Sequence, residues 1–73
     1  LASTLKRSLT LSGHRTSVSL EQEFWDALNE IAGASGKPLA RLVDEIDKRQ
    51  GRGKNLSSAL RLFVLAHFRN QRE

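Results

Sequence analysis

The chain has no cysteine, methionine or tyrosine, a single proline, a single tryptophan and three phenylalanines. Without cysteine, neither disulfides nor thiolate metal sites can staple a small fold. The two histidines, His14 in a turn-like stretch and His67 among apolar residues, do not compose a zinc site. No apolar run approaches the ~18 residues of a membrane span. Lys6 and Arg7 interrupt Leu1–Leu11 where a secretory signal needs an apolar block. The reading is therefore a cytoplasmic protein with no membrane partner, its N-terminus either trimmed or not the natural one, since no methionine starts it. Neither histidine stands at a defined spacing from a nucleophile and an acid, and 73 residues leave little room for a deep pocket. No enzyme, no metal and no cofactor are expected. A chain of this size buries only about 60% of its unfolded surface. With disulfides and metals excluded, oligomerisation is the remaining aid to a small core.

Charge is unevenly spread. Residues 1–20 carry Lys6, Arg7 and Arg15 and no acid. Residues 21–47 carry seven acids against Lys37 and Arg41, a net of −5, and residues 48–73 carry seven bases against Glu73, a net of +6. The overall +4 thus hides two basic ends around an acidic middle. Basic segments meet polyanions, above all nucleic acid, through counterion release, although a solvated basic surface gives the same count.

Ser8-Leu9-Thr10-Leu11 and Thr16-Ser17-Val18-Ser19-Leu20 alternate polar and apolar with period two, the pattern of strands with one buried face. Ser12-Gly13-His14 between them reads as a turn. A helix is expected from about Glu21 to Ser35. Ser19-Leu20-Glu21-Gln22 has the form of a capping box, Glu21 is assigned to helix capping, and Phe24, Leu28 and Ile31 form an apolar stripe. Gly36 is the natural stop, and Pro38 presets a second helix from about Leu39 to Arg49, carrying Leu42, Val43 and Ile46 on one face. Gln50-Gly51-Arg52-Gly53-Lys54 breaks that helix. It lacks the spacing of a phosphate loop and reads as a flexible basic linker. Asn55 or Ser57 caps a third helix to about Arg69, whose apolar residues go almost all the way round. Three short helices in one chain cannot enclose such a helix; a partner chain can.

A strand leading at once into two amphipathic helices joined by a glycine turn, here over Arg15–Arg49, resembles the ribbon-helix-helix family of dimeric bacterial DNA binders. The resemblance rests on Thr16-Ser17-Val18-Ser19-Leu20-Glu21-Gln22-Glu23-Phe24-Trp25-Asp26-Ala27-Leu28 and on the Gly36 turn before Leu39. With Lys6-Arg7-Ser8 ahead and Asn55-Leu56-Ser57-Ser58-Ala59-Leu60-Arg61 behind, it looks like a small, largely uncharacterised subfamily. The implied fold is mainly α with a short β ribbon: one domain over 1–73, an intertwined ribbon-helix-helix homodimer with core 15–49, an N-terminal strand extension and an extra C-terminal helix at about 55–69.

The resemblance implies that strands from two protomers pair antiparallel and lie in the major groove of double-stranded DNA. Thr16, Val18 and Leu20 would face the core, leaving Arg15, Ser17 and Ser19 to read base edges. Lys6, Arg7, Lys37 and Arg41 would contact phosphates, the last two at the start of the second helix, where Pro38 has no amide proton to offer. Val18, Leu20, Trp25, Leu60, Phe63 and Val64 would form the dimer interface. The function implied is sequence-specific DNA binding by a transcriptional regulator. The alternatives are an interaction module of the same fold that does not bind DNA, with a protein partner through the third helix, and an antitoxin.

Overall fold

The computed structural model describes residues 3–52 and 55–71. Two strands, β1 (Thr4–Leu11) and β2 (His14–Glu21), form an antiparallel hairpin, followed by α1 (Gln22–Ala34), α2 (Leu39–Gln50) and α3 (Leu56–Arg69). The described ribbon is thus a hairpin formed by two strands of one chain. Pairing runs without a slip from Thr4 opposite Glu21 to Leu11 opposite His14.

Both strands are longer than their alternation suggests. At β1 the reason is Arg7, which occupies an apolar-face position but lays its guanidinium over the Trp25 ring, 5.3 Å from the centroid. The turn is shorter than expected, because His14 is already in β2. It consists of Ser12 and Gly13, with φ of 51° and 85°, the positive values that a two-residue hairpin turn of matching twist requires. Ser12 is held in this uncommon conformation by its side chain: Oγ lies 2.9 and 3.0 Å from the two Asp44 carboxylate oxygens.

The capping box does not form. Glu21 occupies the N-cap position of α1 without a side-chain cap bond, because β2 runs on through Ser19 and the Glu21 carboxylate turns to Arg61. The end of α1 follows expectation. Lys37 N–H donates to the Ala32 carbonyl and Gly36 N–H to that of Gly33, with Gly36 at φ 70°, the paired bonds of a Schellman stop. Pro38 is the N-cap of α2, which starts at Leu39 as expected. Asn55 caps α3 by accepting from the Ser58 amide at 3.1 Å.

Arg52 is not part of a loose linker. It donates to Asp47 at 2.7 Å, to Asp44 at 3.0 Å and to Ser12 Oγ at 2.8 Å, clamping the hairpin turn to α2. Gly53 and Lys54 lie outside the described residues.

The core is enclosed by one chain. Leu11, Val18 and Leu20 from the hairpin meet Trp25, Leu28, Ile31 and Ala32 of α1, Leu42, Val43 and Ile46 of α2, and Leu60 and Val64 of α3. Trp25 is fully buried, and its Nε1–H donates to the Leu5 carbonyl at 2.9 Å, tying α1 to β1. The expectation that the third helix needs a partner on every side is met only in part. The chain itself buries its Leu60–Val64 side, but Leu62, Leu65 and Phe68 on other sides remain 62%, 51% and 38% exposed.

The alternation in β2 leads to a direct test. Val18 is buried and Ser17 exposed, so Val18→Ser should cost about 2–3 kcal/mol by removing packed atoms and burying a hydroxyl. Ser17→Ala should leave the denaturation midpoint unchanged. The reverse order of severity would mean that the faces are swapped.

Candidate nucleic-acid interface

In an antiparallel ladder, directly opposed residues share a face. The pairs Leu9–Thr16 and Leu5–Leu20 therefore lie on the helix side, as do Arg7–Val18 and Leu11–His14. The other side carries Lys6 opposite Ser19, Ser8 opposite Ser17 and Thr10 opposite Arg15. All six are exposed except Ser19, which is half-buried. The outward surface is thus hydroxyl-rich with a cation near each end, and it carries no apolar side chain between Lys6 and Thr10 or between Arg15 and Ser19. Hydroxyls both donate and accept, and a guanidinium makes two parallel bonds to one edge. Such a surface suits the donors and acceptors of base edges.

Arg15, Ser17 and Ser19 are brought together on this face, and Lys6 joins them. Arg7 does not; it points to the helix side, over Trp25. Ser8 and Thr10 share the face but escape the sequence reading, because alternation alone assigns no partner to the polar side of β1. A signal is nevertheless present: Lys6-x-Ser8-x-Thr10 is repeated nine residues later as Arg15-x-Ser17-x-Ser19.

Lys37 and Arg41 lie elsewhere, at the α1–α2 turn and the first turn of α2. Both charges meet Glu45, Lys37 Nζ at 2.7 Å and Arg41 Nε at 3.5 Å. Val18, Leu20, Trp25, Leu60 and Val64, the candidate interface residues, are buried within the chain itself, whereas Phe63 is half-buried.

The acidic middle is largely neutralised from within. Asp44 and Asp47 pair with Arg52, and Glu45 with Lys37 and Arg41. Glu21, which ends the outward face opposite Thr4, pairs with Arg61 at 3.0 Å. Among the described residues, Lys6 and Arg15 make no ion pair, so their charge is left to act outward. Glu23, Asp26 and Glu30 lie on the exposed side of α1, opposite Trp25, Leu28 and Ala32.

These pairs hold three carboxyls below their ordinary range. For Glu21 the main cause is the Arg61 hydrogen bond, followed by its own backbone amide. For Asp44 burial opposes the charge, but hydrogen bonds from Ser12 and Arg52 and the nearby Lys48 and Arg52 charges outweigh it. For Glu45 the Lys37 hydrogen bond leads. Depressed values in the folded state contribute stability that is complete above the unfolded values, 3.8 for Asp and 4.5 for Glu. That stability is lost as pH falls through the folded values. The thermal midpoint should therefore hold between pH 7 and about 5 and drop below about 4.5. A midpoint that stays level down to pH 3 would show that the pairs do not form in solution.

A groove of about 360 Å³ between α2 and α3 is lined by Ile46, Arg49, Gln50, Ala59, Leu62 and Phe63. Among the described residues no helix is long and apolar enough to cross a membrane, and no group of three or more potential metal ligands occurs.

The sequence profile of the ribbon-helix-helix domain matches residues 4–68. A solved structure, that of an uncharacterized protein from Bordetella pertussis Tohama I, is similar with a TM-score of 0.82 and 38% identity. The match covers 96% of this chain and 59% of that one, so this chain spans less than two thirds of that protein's length. No curated protein matches.

Proposed function

Because the chain belongs to the ribbon-helix-helix family, whose members are generally non-enzymatic DNA-binding regulators, we propose that it binds double-stranded DNA sequence-specifically as a transcriptional regulator. The outward face of the ribbon enters the major groove. The observation that carries this reading is the segregation of the hairpin: apolar side chains and Arg7 toward the helices, and hydroxyls with Lys6 and Arg15 toward solvent. Arg15, Ser17 and Ser19 read base edges. Lys37 and Arg41 add attraction to phosphates, in competition with Glu45. Selection of bound fragments from a random duplex pool tests the reading: enrichment of a defined motif supports it, and recovery of no motif at low salt refutes it.

The regulator acts as a homodimer, and a second copy covers the face of α3 that the chain leaves open. Leu62, Leu65 and Phe68 are the large exposed hydrophobics of that helix, and Leu62 and Phe63 continue into the groove beside α2. The Gln50 Nε2 at this groove is buried and finds no hydrogen-bond partner among the described residues. This is the arrangement expected where another surface completes the contact. Sedimentation should show a dimer at micromolar concentration, and Leu62→Glu with Leu65→Glu should give a folded monomer. A wild type that stays monomeric throughout the micromolar range would rule the dimer out.

A further inference from the structure

We propose that β1 is an internal counterpart of β2, so that a single copy of this chain carries a complete two-stranded reading surface in which Lys6, Ser8 and Thr10 read bases as Arg15, Ser17 and Ser19 do. The inference rests on the DNA-binding reading above and goes beyond it, since it assigns recognition to β1 and to residues of one chain.

The first observation is the repeat. Lys6-Arg7-Ser8-Leu9-Thr10-Leu11 and Arg15-Thr16-Ser17-Val18-Ser19-Leu20 agree position by position: cation, variable residue, serine, aliphatic, hydroxyl, leucine. The second is the register. Ser8 lies directly opposite Ser17, so a pseudo-two-fold axis through that pair exchanges Lys6 with Arg15, Ser8 with Ser17 and Thr10 with Ser19. It also exchanges Leu9 with Val18 and Leu11 with Leu20 on the helix side. A hairpin slipped by one residue would pair the same sequences and lose this equivalence. The repeat and the register arise independently, one from the chain and one from its pairing, and they meet on one axis.

The geometry suits a groove. Alternate residues of a strand are about 7 Å apart, so each row of three spans about 14 Å, and the two rows lie about 5 Å apart across the ladder. That is the length of roughly four base steps at ~3.4 Å each, within a ribbon of the width the major groove admits. Lys6 and Arg15 lie at opposite ends, each able to bond the O6 and N7 acceptors of a guanine. The rows are alike but not identical, so the element read by one chain is a quasi-palindrome: cations at its two ends, hydroxyls at its centre, and a methyl group, that of Thr10, on one side only.

The test uses the full chain and a random duplex pool, with the enriched motif compared across variants. Within the element read by one chain, Lys6→Ala should relax preference at the base pair related by that element's local dyad to the one relaxed by Arg15→Ala, with discrimination there falling on the order of 10-fold. Ser8→Ala with Thr10→Ala should flatten the positions between. These side chains are exposed, so melting of each variant should match the wild type. If Arg15→Ala and Ser17→Ala change the motif while Lys6→Ala and Ser8→Ala with Thr10→Ala leave it intact, DNA reading stands and this inference falls. A uniform loss over all sequences with Lys6→Ala makes Lys6 a phosphate anchor and also overturns it. If the wild type enriches no motif, both readings fall together.

Discussion

Trp25→Ala should remove a large share of the chain's stability and lower its denaturation midpoint strongly. The indole is fully buried where the hairpin meets α1, and it does three things there. It fills the space among the leucines and valines of the core, it holds the β1 backbone by donating to the Leu5 carbonyl at 2.9 Å, and it lies under the Arg7 guanidinium. Truncating a buried aromatic to alanine costs about 3–5 kcal/mol, against a total near 4–11 kcal/mol for a chain of this length at the usual stability per residue. The hydrogen bond and the ring are separable. Trp25→Phe keeps most of the volume and removes the donor, leaving the Leu5 carbonyl to water, and should cost about 1–2 kcal/mol. Urea denaturation followed by far-UV circular dichroism reads both. An unchanged midpoint in Trp25→Ala would mean that this side chain is peripheral to the fold.

Much of this is legible from the residues. Period-two alternation places Val18 and Leu20 inward and Ser17 outward, and the burial of each agrees. Gly36 is legible as a stop because only a positive φ completes the bonds to Ala32 and Gly33. Arg7 and Arg52 are not. Each is a charged side chain whose role depends on a partner distant in sequence, Trp25 for one and Ser12 with Asp44 and Asp47 for the other. A periodicity scan counts both as polar and stops there. For the same reason the third helix, taken from its residues alone, needs a partner on every side: the hairpin that helps to cover Leu60 and Val64 comes from the far end of the chain. The expected capping box fails because Ser19, its cap, is held in the ribbon opposite Lys6, a pairing with a distant strand, while Glu21 turns to Arg61, forty residues on.

Arg15→Ala and Lys37→Ala should weaken DNA binding in different ways. Arg15 lies on the outward face opposite Thr10, exposed and without an ion pair among the described residues. Its fork is therefore available for a bidentate contact, and its loss should cost about 1–3 kcal/mol on the preferred motif and relax preference at one position per half-site. In a symmetric dimer on a symmetric site the loss occurs twice. Lys37 is half-buried against Glu45 at 2.7 Å, so any phosphate it meets must compete with a carboxylate already in place. Lys37→Ala should reduce affinity for all sequences alike, and the dependence of log affinity on log salt should become shallower by up to about 0.9 per lost contact. The salt slope separates the two cases most cleanly. A base contact carries sequence information at any ionic strength, whereas a phosphate contact acts chiefly through released counterions. If Arg15→Ala weakens every sequence equally, Arg15 is a backbone anchor, and the serines with Lys6 and Thr10 must do the reading. If neither substitution alters binding at low salt, the ribbon does not touch DNA, and an interaction module built on the same fold becomes the better account.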